Sequence, residues 1–289
     1  MTDTRTAHQP QTSDWTQRDV RAIPKLDVPR ISELDLEHNP MDNMRSLRWL
    51  LISRPLIAAA AFVIMALNSW WIATPVVVWA LYGSTLSAVH HLIHGSLGLS
   101  ATWRRFWLSA LGCLVVESGH ALQATHVVHH RDGSDLPDPE GYIENLSWAQ
   151  MPLGSARYRY RLAIWGLRNS PRRNRIAFEI AVHAVAHLAS LALLGVTPIL
   201  WIYLTLIHIA SFAFAFLQGK GPQANWGRPM STPLAIVHTR LLAFLFFSHH
   251  QHLEHHAYPK VPITRLAALR PHVEHALADR EILHIHVPV

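Results

Sequence analysis

The chain has 289 residues, half of them hydrophobic and only 15% charged, with a formal net charge of +6. Its apolar residues come in long blocks, which argues against a soluble enzyme and for an integral membrane protein of one domain. The single cysteine, Cys113, excludes an internal disulfide and any cysteine-built zinc or iron–sulfur centre.

Residues 1–46 are polar and carry Pro10, Pro24, Pro29 and Pro40, the composition of a loosely ordered arm. No basic start followed by an apolar run and a small-residue cleavage site heads the chain, so no exported, processed form is expected. Residues 47–270 form the predicted membrane body. Pro55 to Leu67 is apolar, and with Leu47 to Ser53 added it reaches the roughly 20 residues of a span, Arg54 snorkelling toward the interface. Asn68 and Ser69 make a tight turn, and Trp70 to Ala88 returns, with Trp70 and Trp71 at the far interface. Phe106 to Val116 is too short to span and is predicted to be a helix lying at the interface. A long polar stretch follows. Ile176 to Val196 and Ile199 to Leu217 then form a second hairpin around Thr197 and Pro198. Leu234 to Phe247 is predicted to be another interfacial helix, and residues 271–289 a C-terminal tail. The fold class is all-α integral membrane, with four transmembrane helices in two hairpins.

Charge orients this arrangement. Arg131, Arg157, Arg159, Arg161, Arg168, Arg172, Arg173 and Arg175 lie between the hairpins, while the two tight turns carry no lysine or arginine. The positive-inside rule places that loop, and with it both termini, in the cytoplasm. The arginines come without a recognition motif and abut a span, so no nucleic-acid partner is expected.

Three clusters of histidine fall on this frame: His90, His91 and His94 in HHLIH; His126, His129 and His130 in HVVHH; and His252, His255 and His256 in HLEHH. Spacings of three and four put side chains on one helix face about one turn apart. The topology, built without them, brings all three clusters to the cytoplasmic side. Had one fallen opposite, its ligands would lie about 30 Å away across the hydrocarbon. Leaving out His91, whose i, i+1 neighbour faces another direction, eight imidazoles are too many for one four-ligand site, so two metal ions are the economical reading. Imidazole suits iron, zinc, copper and nickel alike, and ligand type alone leaves the metal open.

The segments HHLIHG, HVVHHRDGSDLPDPEG and HHQHLEHHAYPKVP resemble the three histidine boxes of the integral-membrane fatty acid desaturases, hydroxylases and carotenoid ketolases, over about residues 50 to 270. The resemblance implies a four-helix membrane bundle capped by a cytoplasmic di-iron site. It implies two Fe ions that take electrons, reduce O2 and remove hydrogen from an unactivated C–H bond of a lipid, with fatty acyl desaturation placed first and hydroxylation or ketolation of a lipid or carotenoid as alternatives. On that pattern the metal ligands are His90, His94, His126, His129, His130, His252, His255 and His256. The family usually adds one ligand outside the boxes. His249 comes first for that role, before Asn225, His208 and His120. Box one departs from the pattern, because His91 stands where an acidic residue is usual.

Carboxylates near the boxes are candidates to orient ligands: Glu117 and Glu254 first, then Asp132, Asp135, Asp138 and Glu140. Glu179, His183 and His187 are ionisable groups inside the third span and are expected to line a substrate tunnel or to make a polar contact between helices. The chain has no Gly-rich nucleotide fingerprint and no CxxC pair, so electrons must come from an external donor, a ferredoxin or cytochrome. The arginine-rich loop is a landing surface for such an acidic donor or for anionic membrane lipid. A non-redox metal-binding or transport protein is the reading from another class, but four spans without a ligand pair crossing the bilayer make a poor conduit. A zinc protease would need HExxH, which HLEHH does not supply.

Overall fold

The computed structural model describes residues 27–36, 38–130, 139–143, 146–220, 235–238, 251–279 and 283–286. Four of its helices are long and apolar enough to cross a membrane: Met44–Leu67, Trp71–His94, Arg173–Ala192 and Ile199–Leu217. We name the α-helices α1 (Met44–Leu67), α2 (Thr74–His94), α3 (Ala101–Leu114), α4 (Gly119–His129), α5 (Met151–Asn169), α6 (Arg173–Ala192), α7 (Ile199–Lys220), α8 (His252–Ala257) and α9 (Arg270–Ala276). The helical architecture expected from the hydropathy is therefore present, in two hairpins, α1–α2 and α6–α7.

Local chemistry explains the boundaries. Pro55 sits inside α1 rather than at its start, a position that membrane helices tolerate because neighbours re-satisfy the freed backbone. The first turn forms where expected: Asn68 Nδ2 donates to the Ile64 carbonyl at 2.8 Å, and Ser69 takes a left-handed φ of 60°. Leu56, Ile57, Val63 and Ile64 of α1 and Phe178, Val185, Leu188 and Leu191 of α6 point outward. Exposed apolar surface on that scale needs a covering phase, which lipid supplies. Phe62, Leu81, Tyr82, Ile207 and Phe214 form the core between α1, α2 and α7.

Two parts depart from expectation. The arginine-rich stretch read as a loop contains α5, which packs against α4, α6 and α7. Its buried residues are Met151, Gly154, Ser155, Leu162 and Gly166, the two glycines and the serine small enough for close approach, while arginines occupy other positions. Counting apolar residues misses such a helix, because much of its packing face is made of small residues. Within the run from Leu234 to Phe247, expected as an interfacial helix, the described residues form strand β1 (Ala235–His238), which pairs in parallel with β2 (Leu283–His286). β-branched Ile236 and Val237 suit an extended backbone. Residues 239–247 lie outside the described part. The other short run does form a helix, α3, capped by Ser100, whose Oγ accepts from the Trp103 backbone N–H.

The described residues just before α1, expected as part of a loosely ordered arm, are instead packed. Val28, Ile31, Leu34, Leu36 and Met41 rest on a core of Leu253, Tyr258, Val261, Leu266, Leu269, Val273 and Leu277. Tyr258 Oη donates to the Pro29 carbonyl at 3.0 Å, and Arg265 Nη1 to that of Pro40 at 2.8 Å. The chain before α1 and the chain after box three thus brace each other, and this brace carries α8.

Candidate metal centre

Each histidine box rides on one short helical stretch. His90 and His94 lie one turn apart at the end of α2, and Gly95, at a left-handed φ of 67°, stops the helix there. His126 and His129 close α4, with His130 at its C-cap. His255 and His256 lie on α8.

These three helices bring seven imidazoles together. His90, His94, His126 and His255 form one group whose ligand atoms all lie within 4.8 Å of one another. Contacts between Nε2 atoms run His90–His255 at 3.0 Å, His255–His130 at 2.9 Å, His130–His126 at 3.1 Å and His126–His94 at 2.9 Å. A second pair stands beside them, with His256 Nε2 and His129 Nε2 3.2 Å apart, and the His130 and His256 rings stack at 4.2 Å.

Hydrogen bonding among imidazoles does not account for this packing. An imidazole Nε2 carries either one N–H or one lone pair, so it makes one good hydrogen bond. His126, His130 and His255 each present that single atom to two others. A shared cation resolves the conflict, because every lone pair can then face it. The observed contacts of 2.9–3.2 Å between ring nitrogens are on the scale at which several imidazoles could hold one ion, whose bonds to nitrogen are about 2.0–2.1 Å. The donor set fits a metal of the imidazole-binding class.

Protonation state agrees. Burial and the neighbouring imidazoles His90, His94, His130 and His126 hold His255 well below the ordinary histidine range, so the ring is neutral. Only neutral imidazole ligates. Glu140 sets the tautomer of His126, accepting from Nδ1 at 2.8 Å and from Thr125 Oγ1 at 3.0 Å. Nδ1 therefore carries the proton and Nε2 the lone pair, the arrangement by which a carboxylate orients a metal-bound histidine. Replacing Glu140 with alanine is expected to weaken metal affinity about 10- to 100-fold. Metal titration with a competing chelator reads this directly, and an unchanged affinity would remove Glu140 from the site.

His91 turns away from the group: its Nδ1 meets Ser96 Oγ at 3.1 Å. His252 opens α8, and its side chain lies outside the described part, as do His249, Asn225, Asp132, Asp135 and Asp138. Among the described carboxylates, Glu140 reaches a box histidine, and Glu117 and Glu254 face other partners. Glu254 pairs with Arg270 at 2.6 Å and pins α8 to the brace without touching an imidazole in any contact described. Glu117 accepts from Tyr82 and, at 2.8 Å, from Ser211, tying α2 to α7. Adjacency in sequence does not bring either to an imidazole: on α8 the helix turns Glu254 to another side than its neighbours, and Glu117 lies in the connection between α3 and α4. His120 is engaged by Glu179 at 2.7 Å and His208 by His187 at 2.8 Å, so neither joins the described cluster.

Residues 68–288 match a family model described as fatty acid desaturase. This chain belongs to that family. Membership covers all three boxes and makes the protein a desaturase- and hydroxylase-type membrane oxidoreductase, metal-dependent and directed at lipid. No curated protein and no solved structure matches this desaturase-family chain.

Proposed function

We propose that the protein is an O2-dependent di-iron oxidoreductase acting on C–H bonds of a lipid, most simply a fatty acyl desaturase. The observation that carries this reading is the convergence of imidazole Nε2 atoms that hydrogen bonding leaves over-committed, in a chain of the desaturase family. His90, His94, His126 and His255 are assigned to one iron, His129 and His256 to the other, with His130 between them. His252, and His249 as the ninth ligand, complete the assignment from sequence. When bound, the iron pair supplies the one-electron chemistry that couples reduction of O2 to oxidation of an unactivated C–H bond.

The protein's own residues supply position and protection. Glu140 keeps a proton on His126 Nδ1, so the opposite nitrogen stays a lone-pair donor. Glu254 and Arg270 hold α8 against the brace, fixing where His255 and His256 project. Desaturation balances as one C–C single bond made double, with two hydrogens, O2, two electrons and two protons leaving as two waters. The electrons come from a ferredoxin or cytochrome docking at the metal-bearing side, which the arginine distribution assigns to the cytoplasm together with both termini. Domain limits follow the same reading, with an arm of residues 1–46, a membrane body of 47–270 and a tail of 271–289.

Metal analysis of the detergent-purified protein, with Mössbauer spectroscopy on an iron-57 sample, tests the proposal. About two coupled irons per chain, together with oxidised lipid in extracts of expressing cells, are expected. Zinc that iron cannot replace, with no oxidised lipid, would shift the protein to the metal-binding and transport class. The products separate desaturation from hydroxylation or ketolation.

A further inference from the structure

A second polar cluster lies away from the metal centre, in a cavity of about 380 Å³ between α4, α5, α6 and α7. Most of its wall is apolar, including Leu122, Leu162, Leu167, Ile180 and Ala184. Glu117, Arg159, His183, His187 and His208 also line it. The volume is in the range of pockets that hold small-molecule ligands. Leu122 stands one turn before His126 on α4, so the cavity wall and the metal ligands share a helix.

The hydrogen bonds in this cluster run one way. Arg159 Nη2 can only donate, and it meets His208 Nδ1, which must therefore carry a lone pair. His208 Nε2 then bears the proton and donates to His187 Nε2 at 2.8 Å. His187 Nδ1 bears its proton in turn and donates to the His183 carbonyl at 2.7 Å. Both imidazoles have spent their nitrogens on these contacts. The chain leaves a surplus at its start: Arg159 Nη1 is buried without a hydrogen-bond partner, as is His183 Nε2. Among the described residues no carboxylate forms a close ion pair with Arg159; Glu117, which lines the same cavity, acts on it electrostatically while its Oε1 accepts from Tyr82 and Ser211. A guanidinium among largely apolar helices with a buried N–H group left unbonded is costly and characteristically marks a function.

We infer that this cavity binds the oxygen-bearing end of the lipid, with Arg159 as the residue that recognises it. The spare donors select an acceptor oxygen, either the carboxylate of a fatty acid or the ring carbonyl of an isoprenoid, on an otherwise hydrocarbon molecule. His208 and His187 hold the guanidinium in place, and the apolar wall takes the chain. The inference deepens the proposed function and rests on it for the lipid's role as substrate.

Photo-crosslinking of the full-length purified protein with a diazirine-bearing stearic acid, without reductant, tests it independently of turnover. Label is expected on α4, α5, α6 and α7 around the cavity, and excess stearate or a cyclic isoprenoid ketone, whichever is the matching source, should displace it. Octadecane should compete about tenfold or more weakly, since a hydrogen bond to a charged group is lost. Arg159→Met should cut stearate-protected labelling by a similar factor, and Arg159→Lys should restore part of it. Octadecane competing as well as stearate and the ketone in the wild-type protein would overturn the inference without reference to any variant, as would label found elsewhere. A failure of the iron reading alone would leave these binding results standing.

Discussion

Alanine at His255 is expected to release the ion held by its group and to reduce lipid oxidation to background, while the protein stays membrane-inserted. His255 Nε2 is the node between His90, at 3.0 Å, and His130, at 2.9 Å, joining box one to box two through box three. Truncation leaves three of the four closely grouped imidazoles and opens the side of the group that α8 covers. The rest of α8 stays where it is, because Glu254 remains paired with Arg270 and Leu253 remains in the core beneath the brace. His91→Gln is the matched control: it changes an equally buried box histidine whose ring faces Ser96, and should keep its metal. Iron analysis and product yield on the two variants decide the matter, and a His255→Ala protein with full iron and wild-type turnover would sink the ligand assignment.

That contrast also shows what was legible in the sequence. The spans could be read because lipid imposes one simple rule, an apolar run of sufficient length, and the boxes because a helix turns spacings of three and four into a shared face. The face away from the metal could be read too, which is why His91 was set apart. Long-range partners obey no such rule. Glu140 reaches His126 only because the chain after α4 folds back across 14 positions, so it ranked below Glu117 and Glu254, which stand closer to the boxes in the chain but face Tyr82, Ser211 and Arg270. His120 stood six positions before His126 and was weighed as a ligand, yet its partner is Glu179, 59 positions away. α5 was hidden for a different reason. Three of its five buried residues are Gly154, Ser155 and Gly166, and hydropathy gives small residues little weight.

Glu179, an intramembrane carboxylate, sets up the second large effect. It was expected either to line a tunnel or to make a contact between helices, and it does the latter. Ser109 Oγ at 2.5 Å, Ser118 Oγ, the His120 backbone N–H at 3.3 Å and His120 Nδ1 at 2.7 Å all turn toward its two oxygens. Its side chain and that of His120 are fully buried. Three of these groups belong to the first turn of α4 and its cap, where an anion also meets the positive end of the helix dipole. The start of α4 is pressed against α3: a Cβ on Gly119 would stand 2.0 Å from the Leu108 carbonyl oxygen, and one on Gly112 2.6 Å from the Gly119 nitrogen. Glu179 thereby fixes the root of the helix whose other end carries box two. Glu179→Ala should leave several buried donors unpaired and cost roughly 3–5 kcal/mol, since each buried donor left unsatisfied costs about 1–3 kcal/mol. Thermal unfolding of the metal-free protein separates this from a ligand defect: Glu179→Ala should unfold well below wild type, whereas His255→Ala should not. Metal affinity should fall in both. Equal metal-free stability for Glu179→Ala and wild type would show that α4 is held by its glycine contacts with α3 alone.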